Sequence, residues 1–309
     1  MTDIASTDIS DSSARLQNWK LTLAYDGTDF RGWQVQPGEP TIQGELQTGL
    51  GRVAGESPLP QGSGRTDAGV HALGQVASFA LRAPIPAENL VRALNRTLPN
   101  SIRVLNAQLA PPGFHARHSA IAKTYEYRIF LERPWLHGSR TGQSKESATS
   151  QPAAVCSPFL ARYVWPCSWP LDLDALNQAA DQFIGEHDFT SFAAADPDLS
   201  ARNRAEDHDS EQASPIRTIF SSAWERREAE NAVLLVYRVR GNGFLHHMVR
   251  NIVGTIVDIG RGYRSTIEIP AILTARSRSA AGPTAPSQGL FLHSVEYDKA
   301  TDRTIFEPD

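Results

Sequence analysis

Gly62-Ser63-Gly64-Arg65-Thr66-Asp67-Ala68-Gly69-Val70-His71-Ala72 runs directly into Gly74-Gln75-Val76-Ala77-Ser78-Phe79-Ala80-Leu81. The glycines at 62, 64 and 69 are too dense for a helix or a central strand, so the first part is a shaped loop. The alternating apolar run after it reads as a strand that mounts the loop rigidly. The loop carries one carboxylate, Asp67, close to one cation, Arg65. An acid on a stiffly held loop is a common way to build an active site. Taken alone, Gly-Arg-Thr-Asp-Ala-Gly reads as a plain turn, with Asp67 accepting local backbone hydrogen bonds and Arg65 solvated. Its companions elsewhere in the chain decide between the two readings.

Outward from this stretch, helical and strand patterns alternate. Leu21–Ala24 with Tyr25 is an alternating strand stopped by Asp26-Gly27. Thr41 caps a helix with Ile42, Leu46, Leu50 and Val53 on one stripe, and a second helix starts at Pro86 and runs to about Thr97. Strands follow at 102–107 and 123–131. Residues 133–170 are rich in Pro, Ser and Gly and read as a long loop. A helix over 172–184 buries Leu173, Leu176, Phe183 and Ile184 and stops at Gly185. Residues 194–214 read as an acidic insertion. A hairpin pairs 216–226 with 232–240. The most apolar helix spans Leu245 to about Ile259, a short one lies near 268–276, and Leu290–Tyr297 is a closing strand.

This order predicts an α+β (mixed α/β) protein: two similar halves around a central, mainly antiparallel sheet, with the active-site cleft between them. The halves are expected at 20–114 and 115–298, with a disordered tail at 1–19 and a C-terminal tail at 299–309.

The chain has 309 residues, 40% apolar and 21% charged, which is ordinary for a soluble protein. No apolar run approaches the roughly 20 residues that span a bilayer. The first 19 residues lack a basic or apolar leader pattern and carry Asp3, Asp8 and Asp11, so a cytoplasmic location is expected. The net charge of −4 argues at first against a nucleic-acid partner. Residues 1–19 net −2 and 196–211 net −4, however, which leaves the remainder at +2. Of 30 basic residues only Lys20, Lys123, Lys145 and Lys299 are lysines, and arginine suits phosphate and stacking contacts. Cys156 and Cys167 form no CxxC, which argues against a zinc site. His246 and His247 are adjacent on the expected helix and would point about 100° apart, without an acid at ligand spacing. No metal is expected.

Four segments carry a resemblance. They are Tyr25-Asp26-Gly27-Thr28-Asp29-Phe30-Arg31-Gly32-Trp33-Gln34, the Asp67 loop, Phe114-His115-Ala116-Arg117 with Lys123-Thr124-Tyr125-Glu126-Tyr127, and the run Gly241 to Gly254. The tail Gly289-Leu290-Phe291-Leu292 fits as well. From about residue 20 onward the chain resembles the tRNA pseudouridine synthase A family. That resemblance implies an isomerase acting on uridines 38, 39 and 40 of the tRNA anticodon stem-loop, and a homodimer in which one tRNA touches both subunits. It implies two α/β halves around a central, largely antiparallel sheet.

It also implies that Asp67 is the essential catalytic carboxylate and Tyr125 the active-site tyrosine, and that Arg250 is the counter-ion of Asp67. Pseudouridine formation breaks the N1–C1′ bond and rejoins the base through C5 without redox change, so no cofactor is expected. One carboxylate within reach of the sugar or base suffices. Arg250 in so apolar a helix would be costly if buried unpaired, although a lone arginine more often snorkels to solvent. Tyr125 could be plain strand core, but a flipped uracil needs an aromatic face on which to stack. Arg65 suits a nucleotide phosphate or the space a flipped base vacates. Arg31, His71, Arg117 and Lys123 are further candidates for RNA backbone contacts, or ordinary surface charge. The loop glycines are expected to let RNA approach the carboxylate.

Two other classes compete. A tRNA-folding chaperone would need no carboxylate facing phosphates. A glycoside-cleaving hydrolase usually needs two acids, and Asp67 is the one acid in its loop.

Overall fold

The computed structural model describes residues 15–132, 153–194, 214–229 and 232–298. In chain order the elements are β1 (Gln17–Tyr25), α1 (Ile42–Ala54), β2 (Gln61–Gly62), β3 (His71–Leu81), α2 (Ala87–Thr97), β4 (Ile102–Leu109) and β5 (Ala120–Leu131). Then come α3 (Pro158–Ala161), β6 (Trp165–Cys167), α4 (Leu173–Asp181), β7 (Gly185–Asp188), β8 (Ile216–Ala229), β9 (Ala232–Gly241), α5 (Met248–Gly260), α6 (Ile269–Ala275) and β10 (Leu290–Tyr297). This is the expected α+β content.

One sheet runs through the molecule in the order β4-β1-β3-β10-β5-β9-β8-β7, with β2 added on β3 and β6 on β5. Every pairing along the main path is antiparallel except that of β10 with β3. The last strand of the chain is therefore central. Through it β3, which follows the Asp67 loop, meets β5, which carries Tyr125. The parallel seam is short: Phe291 pairs with His71 and Leu292 with Ala72. The expected 114/115 division falls between β4 and β5.

Side chains alternate across the strands, and the main core lies on one face. Trp19, Leu21 and Leu23 of β1, Tyr127 and Ile129 of β5, and Leu235, Tyr237 and Val239 of β9 pack there with the helices. A smaller cluster of Val76, Ala110, Phe114, Ala116 and Tyr297 lies on the opposite face, under the 110–116 connection. The helices form for local reasons. Thr41 caps α1 by accepting from the Gly44 N–H, Leu46 and Leu50 are fully buried, and Gly55 ends the helix at φ 72.

Several expectations change. Residues 17–19 belong to β1, and Trp19 is a core residue, not part of a tail. The 133–170 loop holds α3 and β6, which pairs in parallel with Ile129–Leu131, while 133–152 lie outside the described residues. The α4 helix ends at Asp181; Ile184 is exposed, and Gly185 at φ 109 turns the chain into β7. The acidic insertion lies outside the described residues apart from its end positions 194 and 214. The apolar helix begins at Met248, three residues later than its pattern suggests. Among the described residues no helix is long and apolar enough to cross a membrane.

Candidate active site

The Asp67 loop is held by the protein on three sides. The Ser63 N–H donates to Val76 O at 2.8 Å, the Ser63 hydroxyl donates to Gln75 Oε1 at 2.6 Å, and Gln75 Nε2 donates to Gly64 O at 2.9 Å. From the other side the Trp33 N–H donates to Thr66 O at 3.0 Å, and the Tyr25 and Thr66 hydroxyls pair at 2.8 Å. The segment Tyr25–Trp33 is thus the clamp that shapes the loop. Two glycines are needed for that closure. A Cβ on Gly62 would stand 2.6 Å from the Trp33 ring, and Gly69 has φ +76 with a Cβ position 2.7 Å from the Ser287 hydroxyl. Gly62 and Gly69 thus admit the protein's own segments, whereas a Cβ on Gly64 would meet nothing nearer than Lys123 Nζ at 3.4 Å.

Asp67 projects from this loop toward Arg250, His246 and His247. Arg250 Nη1 donates to its Oδ2 at 2.9 Å, while Arg250 Nε is anchored on Ala285 O at 2.8 Å. His247 Nε2 lies 3.3 Å from Oδ2 and His246 Nε2 3.4 Å from Oδ1. The carboxylate is 19% exposed. Burial pushes its pKa up, but His246, His247 and Arg250 together outweigh burial and hold it below the ordinary aspartate value. It is an ionised carboxylate in a half-enclosed site, open on one side.

The pairing with Arg250 is the one its place in an apolar helix suggests. The two histidines correct the sequence reading. They precede α5 instead of lying on it, so the 100° argument does not apply, and an acid does stand beside them. One ligand atom each of Asp67, His246 and His247 lies within 4.8 Å of the others, a spacing a metal ion could use. The Arg250 guanidinium already sits on Oδ2, however, and would place a fixed positive charge against such an ion. The signal for the histidines was available: Gly241-Asn242-Gly243 marks a loop just where the helical pattern begins.

Tyr125 on β5 borders the same site. Its ring meets Phe244 edge-on at 4.9 Å, and its hydroxyl lies 4.0 Å from the Cβ position of Gly64. Burial first, then the Tyr25 and Asp67 charges, raise its pKa far above the usual phenol value, so it stays neutral. Lys123, two residues earlier on the same face of β5, donates from Nζ to Ser63 O at 2.6 Å. Burial, then Arg117 and Arg217, lower its pKa to about 8. Lys123, Arg117 and Arg217 therefore form a basic cluster beside the loop; Arg217 was not singled out from sequence. Arg65 and Arg117 are exposed.

Two candidates are placed elsewhere. Arg31 is exposed and pairs with Glu39 at 3.3 Å. His71 is 1% exposed and stacks on Phe291 at 4.7 Å. Its Nδ1 accepts from the Gly27 N–H at 3.1 Å and its Nε2 lies 3.0 Å from Arg162 O, so it is a neutral pin with no surface for RNA. Burial lowers its pKa, which suits the neutral form.

A lone ionised acid beside an aromatic face and a basic margin can act on a sugar or base without a second carboxylate. Residues 22–119 and 179–298 match the family model described as tRNA pseudouridine synthase. The chain belongs to that family. It is similar over most of its length to proteins named tRNA pseudouridine synthase A. The one from Solibacter usitatus is 48% identical over 278 residues, 90% of this chain and 98% of that protein. Those of Moorella thermoacetica and Halalkalibacterium halodurans are 43% and 44% identical, covering 90% and 87% of this chain and 98% and 89% of theirs. The protein is an isomerase of this family. The two matched segments contain Asp67 and Arg250; Lys123 and Tyr125 fall between them.

Proposed function

We propose that the protein converts uridine to pseudouridine at positions 38, 39 and 40 of the tRNA anticodon stem-loop, with Asp67 as the reacting carboxylate. The observation that carries this reading is a single ionised carboxylate, held by Arg250 and two histidines, in a chain of the tRNA pseudouridine synthase family. Arg250 keeps Asp67 charged. The Tyr125 ring gives the flipped uracil a face on which to stack, worth roughly 1–3 kcal/mol. Arg65, at the exposed edge of the loop, takes a phosphate or fills the space the base leaves, and Lys123 and Arg117 meet the neighbouring backbone. The isomerisation exchanges one bond to C1′ for another, so the reading calls for neither cofactor nor metal. It places the enzyme in the cytoplasm with its substrate, as a homodimer whose two subunits share one tRNA. In a duplex stem, shape and phosphate contacts dominate recognition.

The test uses tRNA transcripts in which only one of positions 38, 39 and 40 is a uridine. The reading expects pseudouridine at whichever position carries it, with the RNA chain intact and no free uracil. Modification confined to uridines outside the anticodon arm, or release of free uracil, contradicts it.

A further inference from the structure

We infer that His246 and His247 are positioning residues for the reaction, holding the two oxygens of Asp67 apart in role so that Oδ1 faces the substrate. The inference rests on Asp67 being the reacting group. Successive residues diverge by about 100° on a helix and to opposite faces on a strand. Here both imidazoles reach one carboxylate, and their rings lie 4.0 Å apart at 36°. The backbone makes this possible by placing His247 at φ 59, ψ 3, in the left-handed region, where side chains other than glycine are disfavoured.

The same residue is the N-cap of α5, a position that prefers Ser, Thr, Asp or Asn, and it makes no side-chain capping bond. Local stability is given up twice at one residue, and what results is a ring aimed at Asp67. Such strain collects where function over-determines geometry.

The two oxygens are treated unequally. Among the described residues Oδ2 has Arg250 at 2.9 Å and His247 at 3.3 Å, whereas Oδ1 has only His246 at 3.4 Å. Oδ1 therefore keeps the less engaged lone pairs. Imidazoles packed against a carboxylate restrict its orientation, so Arg250 supplies the charge and the histidines supply the aim. The groups facing His247 are Asp67 from the loop, His246 beside it, Arg250 on α5 and Arg278 on the short turn at 278–280. Burial first, and the neighbouring cations, outweigh Asp67 and favour its neutral form. Acid protonates His247, turns it into a cation on Asp67 and weakens Asp67 as a base or nucleophile.

The test measures single-turnover rate, tRNA affinity and thermal midpoint for His246→Gln, His247→Asn, His247→Gly and the His246→Gln/His247→Gln double variant. Each single variant is expected to slow the chemical step about 10- to 100-fold while affinity stays within about two-fold. His247→Gly, which relaxes the left-handed backbone, should melt no lower than wild type while losing rate. As pH falls below the ordinary imidazole value, from which burial lowers His247, the wild-type rate should fall, and that decline should flatten in the double variant. In the free enzyme, Asp67 followed by carboxylate 13C NMR should titrate higher in His246→Ala/His247→Ala, whatever RNA is the substrate. Wild-type rate and pH profile in folded variants, with an unmoved Asp67, overturn the inference. Rate lost on zinc-selective chelation and restored by zinc would do so too, by making the histidines ligands. An Asp67 titration that moves while wild type ignores tRNA would sink the functional reading alone.

Discussion

The two sides of the active site are built by opposite rules. On one side the Asp67 loop is relaxed: its carbonyls and hydroxyls are paired with Trp33, Tyr25 and Gln75, and its one positive φ falls on glycine, at Gly69. On the other side the approach to α5 is strained, with a left-handed His247 and no side-chain cap. Asp67 sits where the backbone is over-determined; His247, beside it, sits where local stability is sacrificed. The Asp67 loop leads into β3 and the α5 approach leaves β9, and β10 and β5 lie between those two strands in the sheet. The site is complete only when the C-terminal strand has entered the middle of the sheet.

Local signals made much of this legible. Thr41 with its Ile42–Leu50 stripe located α1, and Leu290–Tyr297 was bounded to the residue. The apolar surroundings of Arg250 made unpaired burial costly, and the family resemblance pointed to Asp67 as its partner. What could not be read was non-local. No local pattern places the last strand between β3 and β5. His71 looks like a free base inside a motif until burial and its partners Gly27 and Arg162 show it to be a pin. The histidine pair read as helical because Leu245 joins Met248, Val249 and Ile252 in one apolar stripe, although Gly241-Asn242-Gly243 just before it marks a loop. His247 departs from helical backbone through tertiary demand, which periodicity cannot register.

Substitutions on each side should break this contrast to different degrees. Asp67→Ala acts on the relaxed side and should cost at least about 10⁴-fold in turnover with the fold intact. Arg250→Met acts on the steering side. Turnover should fall about 10²- to 10³-fold, and stability by about 2–3 kcal/mol, the low end for breaking a buried pair because both partners keep some exposure. Without Arg250 the carboxylate pKa rises. Since a depressed carboxylate pKa stabilises above its unfolded value and is lost as pH falls through the folded one, acid unfolding should begin at higher pH in the variant. A variant with unchanged acid unfolding would break the assigned pairing.

Tyr125 stands between the two sides. Tyr125→Ala should weaken tRNA binding by about 1–3 kcal/mol in a titration, while Tyr125→Phe keeps the stacking face and most of the affinity. Equal losses in both would transfer the role to the hydroxyl. The smallest effect belongs to Lys123 at the basic margin. Lys123→Gln should lower the salt slope of tRNA binding by about one. Its pKa of about 8 means that the charge is present below that value and lost above it, so wild-type affinity should decline through pH 8 and the variant's should not.

Tritium release from tRNA labelled at uridine C5 tests the central claim most directly, because the C5 hydrogen is lost once C5 is joined to the sugar. Wild type should release tritium from the anticodon arm, and Asp67→Ala, folded and still binding tRNA, should release none above background. Release by the variant at a rate near wild type would contradict the claim that Asp67 carries the reaction.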